Sequence, residues 1–250
     1  MKPAVSSDLL LELERIAEPG ALLAELHRRF GDRMAIAASG QPTDTVLIAL
    51  AVKSGAKEPR VYTTDTGRLF PETYAYFEQL ETLFQIRIER FRPPEKELAR
   101  MVQQHGEFLF FDSKEKQEYC CHVRKVLPNQ QALAGLDVWV TGLRRDQSAA
   151  RAGLARMEIL DQPHRLLKVN PLADWTEQRV RDYLKSNQIP NHPLFEAALP
   201  GGWYYESLGC RICTTPIAPH EPRRAGRWRW FNALDDKKEC GLHHPENPKT

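Results

Sequence analysis

Apolar and polar positions along this chain change repeatedly between two periods. Leucines between Ser7 and Phe30 recur at helical spacing and are interrupted by Pro19-Gly20, which predicts a helical hairpin. RMAIAAS (33 to 39) reads as a buried strand, the polar turn GQPTD follows it, and TVLIALAVKSG (45 to 55) is an apolar helix that Gly55 ends. EPRVYTTDTG (58 to 67) predicts a second strand running into a turn, PETYAYFEQLETLF a helix opened by Pro71, and QIRIERF (85 to 91) a third strand by its alternation. DVWVTGL (137 to 143) and HRLLKVNPL (164 to 172) supply a fourth and a fifth. Strands alternating with helices predict an α/β fold, a mostly parallel twisted sheet covered by helices on both faces.

From Pro190 onward the periodicity stops, and Pro190, Pro193, Pro200, Gly201, Gly202, Gly209, Pro216, Pro219 and Pro222 punctuate the chain. The expected organisation is a helical segment over 1–30, a nucleotide-binding α/β region over 31–190, and an irregular extension over 191–250. That extension has no core of its own and belongs to the same domain. Ligands of such sheets bind beyond the carboxyl ends of the strands. Here those ends are the turns 39–44, 64–67 and 141–145.

Composition narrows the class without naming an activity. The 250 residues are 42% hydrophobic and 27% charged, ordinary values for a soluble globular protein. No apolar run has the length of a membrane span, and the N-terminus has helical periodicity instead of the layout of a secretory signal, so the expected location is the cytoplasm. A formal net charge of +2 does not call for a nucleic-acid partner.

The five cysteines carry more. They stand at 120, 121, 210, 213 and 240, a vicinal pair, a CxxC and one left over. In a reducing compartment that set reads as metal ligands plus a reactive thiol better than as disulfides. Adjacent cysteines suit the two CxxC-like arms of a zinc site poorly, which favours a four-iron four-sulfur cluster over zinc or over buried free thiols. Arg124, Lys125, Arg144, Arg145, Arg223, Arg224, Arg227 and Arg229 supply forks and point charges suited to phosphate or sulfate. Trp228 and Trp230 among the last of these also allow a single-stranded nucleic-acid reading. Lys237, Lys238 and His243 flank Cys240 with positive charge, which favours the nucleophilic thiolate. The turn at 39–44 is a candidate anion site at a helix N-terminus or an ordinary turn capped by Thr43 or Asp44, and Thr64-Asp65-Thr66-Gly67 is open to the same two readings.

TDTGRLFPETY, CCHVRKVLPNQQAL, TGLRRDQSAAR, VNPLADWT, GCRIC, RAGRWRW and KKECGLH together resemble the cluster-containing branch of the assimilatory sulfonucleotide reductases, the adenylylsulfate (APS) reductases, from about residue 33 to 244. The resemblance implies an adenine nucleotide alpha hydrolase-like sheet and thioredoxin-dependent reduction of APS to sulfite and AMP through an S-sulfocysteine on Cys240. It implies one four-iron four-sulfur cluster per chain on Cys120, Cys121, Cys210 and Cys213. Substrate contacts fall on Asp44, Asp65, Thr66, Lys125, Arg144, Arg224 and Arg227. The reductant is thioredoxin or a glutaredoxin-like protein, there is no membrane or nucleic-acid partner, and a homo-oligomer is compatible with the pattern.

Three alternatives use the same residues differently. A reductase of 3'-phosphoadenylylsulfate (PAPS), or of both nucleotides, differs in the product released, although that class generally lacks the four cysteines. ATP-consuming, AMP-forming ligases and tRNA thiolation enzymes share the sheet but need a glycine-rich pyrophosphate loop, and SGQPTDT carries Gln41 in place of the second-position glycine. A noncatalytic binding protein held by zinc would be colourless.

Overall fold

The computed structural model describes residues 5–161 and 164–231. Its contacts divide the chain into two compact units. The first contains Met1–Thr63, Pro71–Glu89 and Gly135–Glu196, and the second Thr64–Phe70, Arg90–Ala134 and Ala197–Thr250. This division crosses the linear one expected from sequence, because contacts gather segments far apart in the chain. Among the described residues, no helix is long and apolar enough to cross a membrane.

The first unit opens with α1 (Ser7–Glu14) and α2 (Pro19–Phe30), the expected hairpin, with Pro19 in the first turn of α2 where a missing N–H costs nothing. The sheet is built from β1 (Met34–Ala37), β2 (Val61–Thr64), β3 (Ile88–Phe91), β4 (Val138–Val140), β5 (Met157–Leu160) and β6 (Leu166–Val169), in the order β3-β2-β1-β4-β6-β5. β1 pairs in parallel with β2 and β4, and β4 with β6, so that Ile36 lies opposite both Val61 and Val140. Ile36, Val61, Val138, Val140 and Val169 are fully buried, which is why these strands read as apolar runs without a polar face.

β5 is the strand that periodicity does not show. It runs antiparallel on β6 at the sheet edge, where only its end residues are buried, so the MEIL stretch has no alternation to read. Its Glu158 accepts from Lys168 Nζ at 2.7 Å, which lets a lysine occupy a buried strand position.

Between β1 and β2 lies α3 (Pro42–Lys53), buried at every position from Pro42 to Ala51. It begins three residues earlier than the apolar run suggests. Proline fits the first helical position and Asp44 at the third accepts from the Gln41 N–H at 3.4 Å, so the polar turn becomes the first turn of the helix. α4 (Pro71–Phe84) follows β2.

The second unit holds α5 (Glu95–His105), α6 (Lys114–Cys121) and α7 (Leu127–Leu133), the last two joined by a π-helical turn, His122–Val126. Ser113 caps α6 by accepting from the Lys116 N–H at 3.2 Å. The widened turn has a local cause. Pro128 cannot donate to the carbonyl four residues back, and its ring would press on it, so the ladder opens over the residues before it. The vicinal cysteines therefore lie at the end of α6. The second unit also has an apolar cluster of Met101, Leu109, Phe110, Val123 and Trp228 packed with Cys120, Cys121, Cys210 and Cys213. The residues after 196 contribute Cys210, Cys213 and Trp228 to a cluster that residues 98–123 begin.

α8 (Glu177–Ser186) in the first unit leads to a segment in which His192 is completely buried. Burial holds its ring well below the usual imidazole range, at about 4, against the opposing pull of Glu72. In the unfolded chain the ring takes its proton near pH 6.5, so between about 6.5 and 4 the unfolded state binds more protons. The stability contributed by the neutral ring is complete above that window and is lost as the pH falls through it. Urea unfolding at pH 7.5 and at pH 5 should show a loss of about 2 kcal/mol attributable to this residue. His192→Phe should be destabilised at pH 7.5 but lose less between the two pH values, and an unchanged slope would refute the assignment.

Candidate active site

In the first unit the turn after β1 is organised by one carboxylate oxygen. Ser39 donates to Asp44 Oδ2 from both its backbone N–H and its hydroxyl at 2.7 Å, and the Gln41 N–H adds a third donor. Burial raises the Asp44 pKa, while the Ser39 and Gln41 donors and the Arg144 charge oppose the rise. The other oxygen faces Gly142, where a Cβ would stand 2.4 Å from Oδ1. Glycine in the turn after β4 is what lets the first turn close.

Arg144 lies beside it and is almost wholly buried. Nε donates to Asp146 Oδ1 at 2.9 Å, Nη2 to Glu177 Oε2 at 2.5 Å and Nη1 to Thr43 Oγ1 at 2.5 Å. The guanidinium thus ties the turn after β4 to the first turns of α3 and α8. Asp44 and Arg144, both expected at the substrate, are brought together here as framework for that turn. Arg145 is more exposed and pairs with Asp174.

In the second unit Asp65 is buried and closes an Asx turn by accepting the Gly67 N–H at 3.0 Å, while its second oxygen accepts from Arg92 Nε at 3.0 Å. Thr66 accepts the Arg68 N–H at 3.2 Å, lies 3.3 Å from Cys210 Sγ, and offers its carbonyl to Arg124 Nη1 at 2.9 Å. The turn expected to touch nucleotide is therefore bonded directly to the cysteine region.

Cys120, Cys121, Cys210 and Cys213 are in no disulfide, are all buried, and all line one cavity together with Arg68, Phe110, Gln117, Arg124, Lys125, Ile212 and Trp228. Cys120, Cys121, Arg124 and Lys125 reach it from one side because each cysteine is followed four residues later by a cation. Gln117 Nε2 donates to Cys121 Sγ at 3.1 Å. Burial pushes the Cys213 thiol up to about 12 and raises Cys120 as well, against the lowering by nearby Arg124 and Lys125.

Arg227 is buried, donates through Nη1 to the Leu208 carbonyl at 2.9 Å, and stacks on Trp228 at 4.8 Å. A Cβ on Gly209 would lie 2.4 Å from its Nη2, so the glycine before the CxxC makes room for the guanidinium. Arg224 precedes it by one turn, its carbonyl accepting the Arg227 N–H at 3.0 Å. Cys240 lies outside the described residues.

The sequence did not single out Arg68 and Gln117, which the structure adds to the cavity wall. Arg68 sits over the Phe110 ring at 5.2 Å and binds Glu107 at 2.8 Å. Its one sequence signal is its place directly after the TDTG turn.

The donor set fits an acceptor-rich group of several atoms. Arg124 Nε, Arg227 Nε and Trp228 Nε1 are buried with no hydrogen-bond partner, an arrangement that costs about 1–3 kcal/mol for each group unless an acceptor is supplied. Among the described residues, no three His, Cys, Asp or Glu side chains converge as one metal ion requires. A four-iron four-sulfur cluster, by contrast, spreads its cysteines around a cube and offers sulfur acceptors to such donors.

Comparison with known proteins agrees with this geometry. Residues 33–216 match the phosphoadenosine phosphosulfate reductase domain. The chain is 39% identical to the adenosine 5'-phosphosulfate reductase of Burkholderia cepacia over 96% of its length and 90% of the relative's. It is also 39% identical to that of Allochromatium vinosum, over 98% and 91%. The crystal structure of phosphoadenylyl-sulfate reductase from Candida auris aligns with a TM-score of 0.66 at 20% identity, covering 87% of this chain and all of that one. The FMN adenylyltransferase of Candida glabrata aligns at 0.55 and 15%, covering 88% and 68%. These last two show the shared sheet. With a sheet, a turn and a cysteine cavity of this kind, and a family match over most of its length, the chain belongs to the phosphoadenosine phosphosulfate reductase family.

Proposed function

We propose that this protein reduces APS to sulfite and AMP in sulfate assimilation, with Cys240 as nucleophile, thioredoxin as reductant and a four-iron four-sulfur cluster on Cys120, Cys121, Cys210 and Cys213. The observation that carries the reading is that four cysteines about 90 residues apart in two pairs line one cavity together with Arg124 and Lys125. Relatives named adenosine 5'-phosphosulfate reductase, similar over nearly the whole chain, supply the substrate.

In the proposed reaction the Cys240 thiolate attacks the sulfate sulfur, the S–O bond to phosphate breaks, and AMP leaves with the electron pair. Sulfonate remains on Cys240. One thiolate of reduced thioredoxin then attacks Cys240 Sγ and expels sulfite. The second closes the thioredoxin disulfide and returns Cys240 to the thiolate, so two electrons pass from the dithiol to sulfur. Lys125 and the arginines neutralise sulfate and phosphate oxygens, without which an anionic nucleophile would be repelled. The cluster, when bound, contributes charge beside Lys125, and no step requires it to change oxidation state.

Mixing purified protein with sulfur-labelled APS in the absence of reductant should leave covalent label on the unsubstituted protein and none on Cys240→Ser, with iron content equal in both. Equal labelling would mean another nucleophile. Release of adenosine 3',5'-bisphosphate from PAPS at a rate matching AMP release from APS would replace strict APS specificity with the dual reading.

Lys125→Gln should lower kcat by roughly 100-fold, the cost of removing one preorganised charge at a reacting centre. Iron and acid-labile sulfide should stay equal to those of the unsubstituted enzyme. Protein isolated without oxygen that is colourless and carries zinc would refute the cluster assignment.

A further inference from the structure

His192 belongs to none of the candidate site groups described above, yet it is buried beneath the first turn. We propose that His192 and Thr73 are positioning residues that hold the Ser39-Gly40-Gln41 turn in its nucleotide-binding shape, an inference that rests on that turn receiving the adenylyl group of the proposed substrate.

The geometry begins at Gly40, whose φ of +78° lies in the left-handed region. A Cβ built there would stand 3.2 Å from Thr73 Cγ2 and 3.5 Å from His192 Cδ2, so the turn rests directly on this pair. The Leu194 N–H donates to His192 Nδ1 at 3.2 Å, which places the ring proton on Nε2, and Nε2 donates to Thr73 Oγ1 at 2.9 Å. The ring is further held edge-on by Tyr76 at 5.1 Å and Phe195 at 5.8 Å.

A second fastening runs beside the first. Tyr76, one turn after Thr73 on the same face of α4, donates to the Pro190 carbonyl at 3.0 Å. The same hydroxyl lies 2.9 Å from Thr45 Oγ1 in the first turn of α3. The segment at 190–192 is therefore bonded twice to α4, and that face of α4 bears on both sides of the candidate nucleotide turn. Asp44 sets the hydrogen bonds within the turn, and the His192–Thr73 pair sets the floor it lies on.

A turn whose backbone must meet a ligand within a few tenths of an ångström needs such a floor, because its own bonds leave it free to move as a unit. Removing the pair should therefore weaken nucleotide binding in molecules that remain folded, and do so through KM more than kcat.

The test uses AMP as probe on the iron-loaded holoenzyme, with calorimetric Kd, thermal midpoint and iron content measured together. Thr73→Val keeps the methyl against Gly40 and removes the hydroxyl, and it should raise the AMP Kd about 5- to 20-fold. Thr73→Ser keeps the hydroxyl bonded to His192 and loses the methyl, so it should bind AMP more tightly than Thr73→Val. In steady state Thr73→Val should raise KM for APS by a similar factor, with kcat changed less than about twofold. His192→Leu is the second breaking variant, and whichever of the two folds decides the question. A folded breaking variant with unchanged AMP affinity and only a lowered thermal midpoint would reduce the pair to a stability role. Failure of the unsubstituted holoenzyme to bind AMP would instead remove the functional reading, and the inference with it.

Discussion

Polar groups taken out of water must be paired inside the protein, and that constraint shapes every strand end described above. Asp44 takes three donors from its own turn, Asp65 closes an Asx turn and meets Arg92, Arg144 is divided among Thr43, Asp146 and Glu177, and His192 is bonded at both nitrogens. These groups fix the turns that a parallel sheet presents at its carboxyl edge. The cysteine cavity holds two of the exceptions found among the described residues. There Arg124 Nε and Trp228 Nε1 stay unpaired, and burial raises the Cys120 and Cys213 thiols against the pull of nearby cations. Donors left unsatisfied in this way are groups that a bound acceptor would pair.

The path of the chain into that cavity follows from a few local causes. Ser113 starts α6, helical spacing puts Arg124 and Lys125 on the face of Cys120 and Cys121, and Pro128 forces the widened turn that carries both cations. On the other side the Gly209 backbone gives way to the Arg227 guanidinium, and the Arg211 N–H donates to the Arg68 carbonyl at 2.8 Å, joining the CxxC to the end of the TDTG turn. Residues 64 to 70 thus serve the same unit as both cysteine pairs, which is why the contact division assigns them there.

Much of this was legible in the order of residues. The apolar runs at 33–39, 137–143 and 164–172 contain three of the four interior strands and 58–67 holds the fourth, and the two cysteine pairs pointed to a shared site that both in fact line. What stayed hidden depended on distant partners. β5 is a strand only because β6 lies beside it, and the second core exists only because Trp228 and Cys213 return to Phe110 and Val123. His192, between two prolines, looks like a loop histidine. Its burial is decided by Thr73, 119 positions earlier. Arg144 read as a strand-end arginine suited to an anion, and the carboxylates it meets stand at 146 and 177, of which TGLRRDQ shows only the first.

That difference bears on where an anionic substrate is drawn. Arg144 is matched by two carboxylates within hydrogen-bond distance, so the group as a whole carries no excess positive charge, and a phosphate oxygen approaching it would meet Asp146 and Glu177 as well. The same guanidinium holds Thr43 at the head of α3, where backbone donors and the helix dipole act. Around the cysteine cavity the balance is opposite: Arg68, Arg124 and Lys125 line it, and the carboxylate met there is Glu107, 2.8 Å from Arg68 and 4.0 Å from Arg124. Cysteines bound to a cluster would absorb part of that positive charge. If the four cysteines hold a cluster, Lys125, with its flexible stem and a position four residues after Cys121, is placed by sequence to serve both that cluster and an anionic substrate.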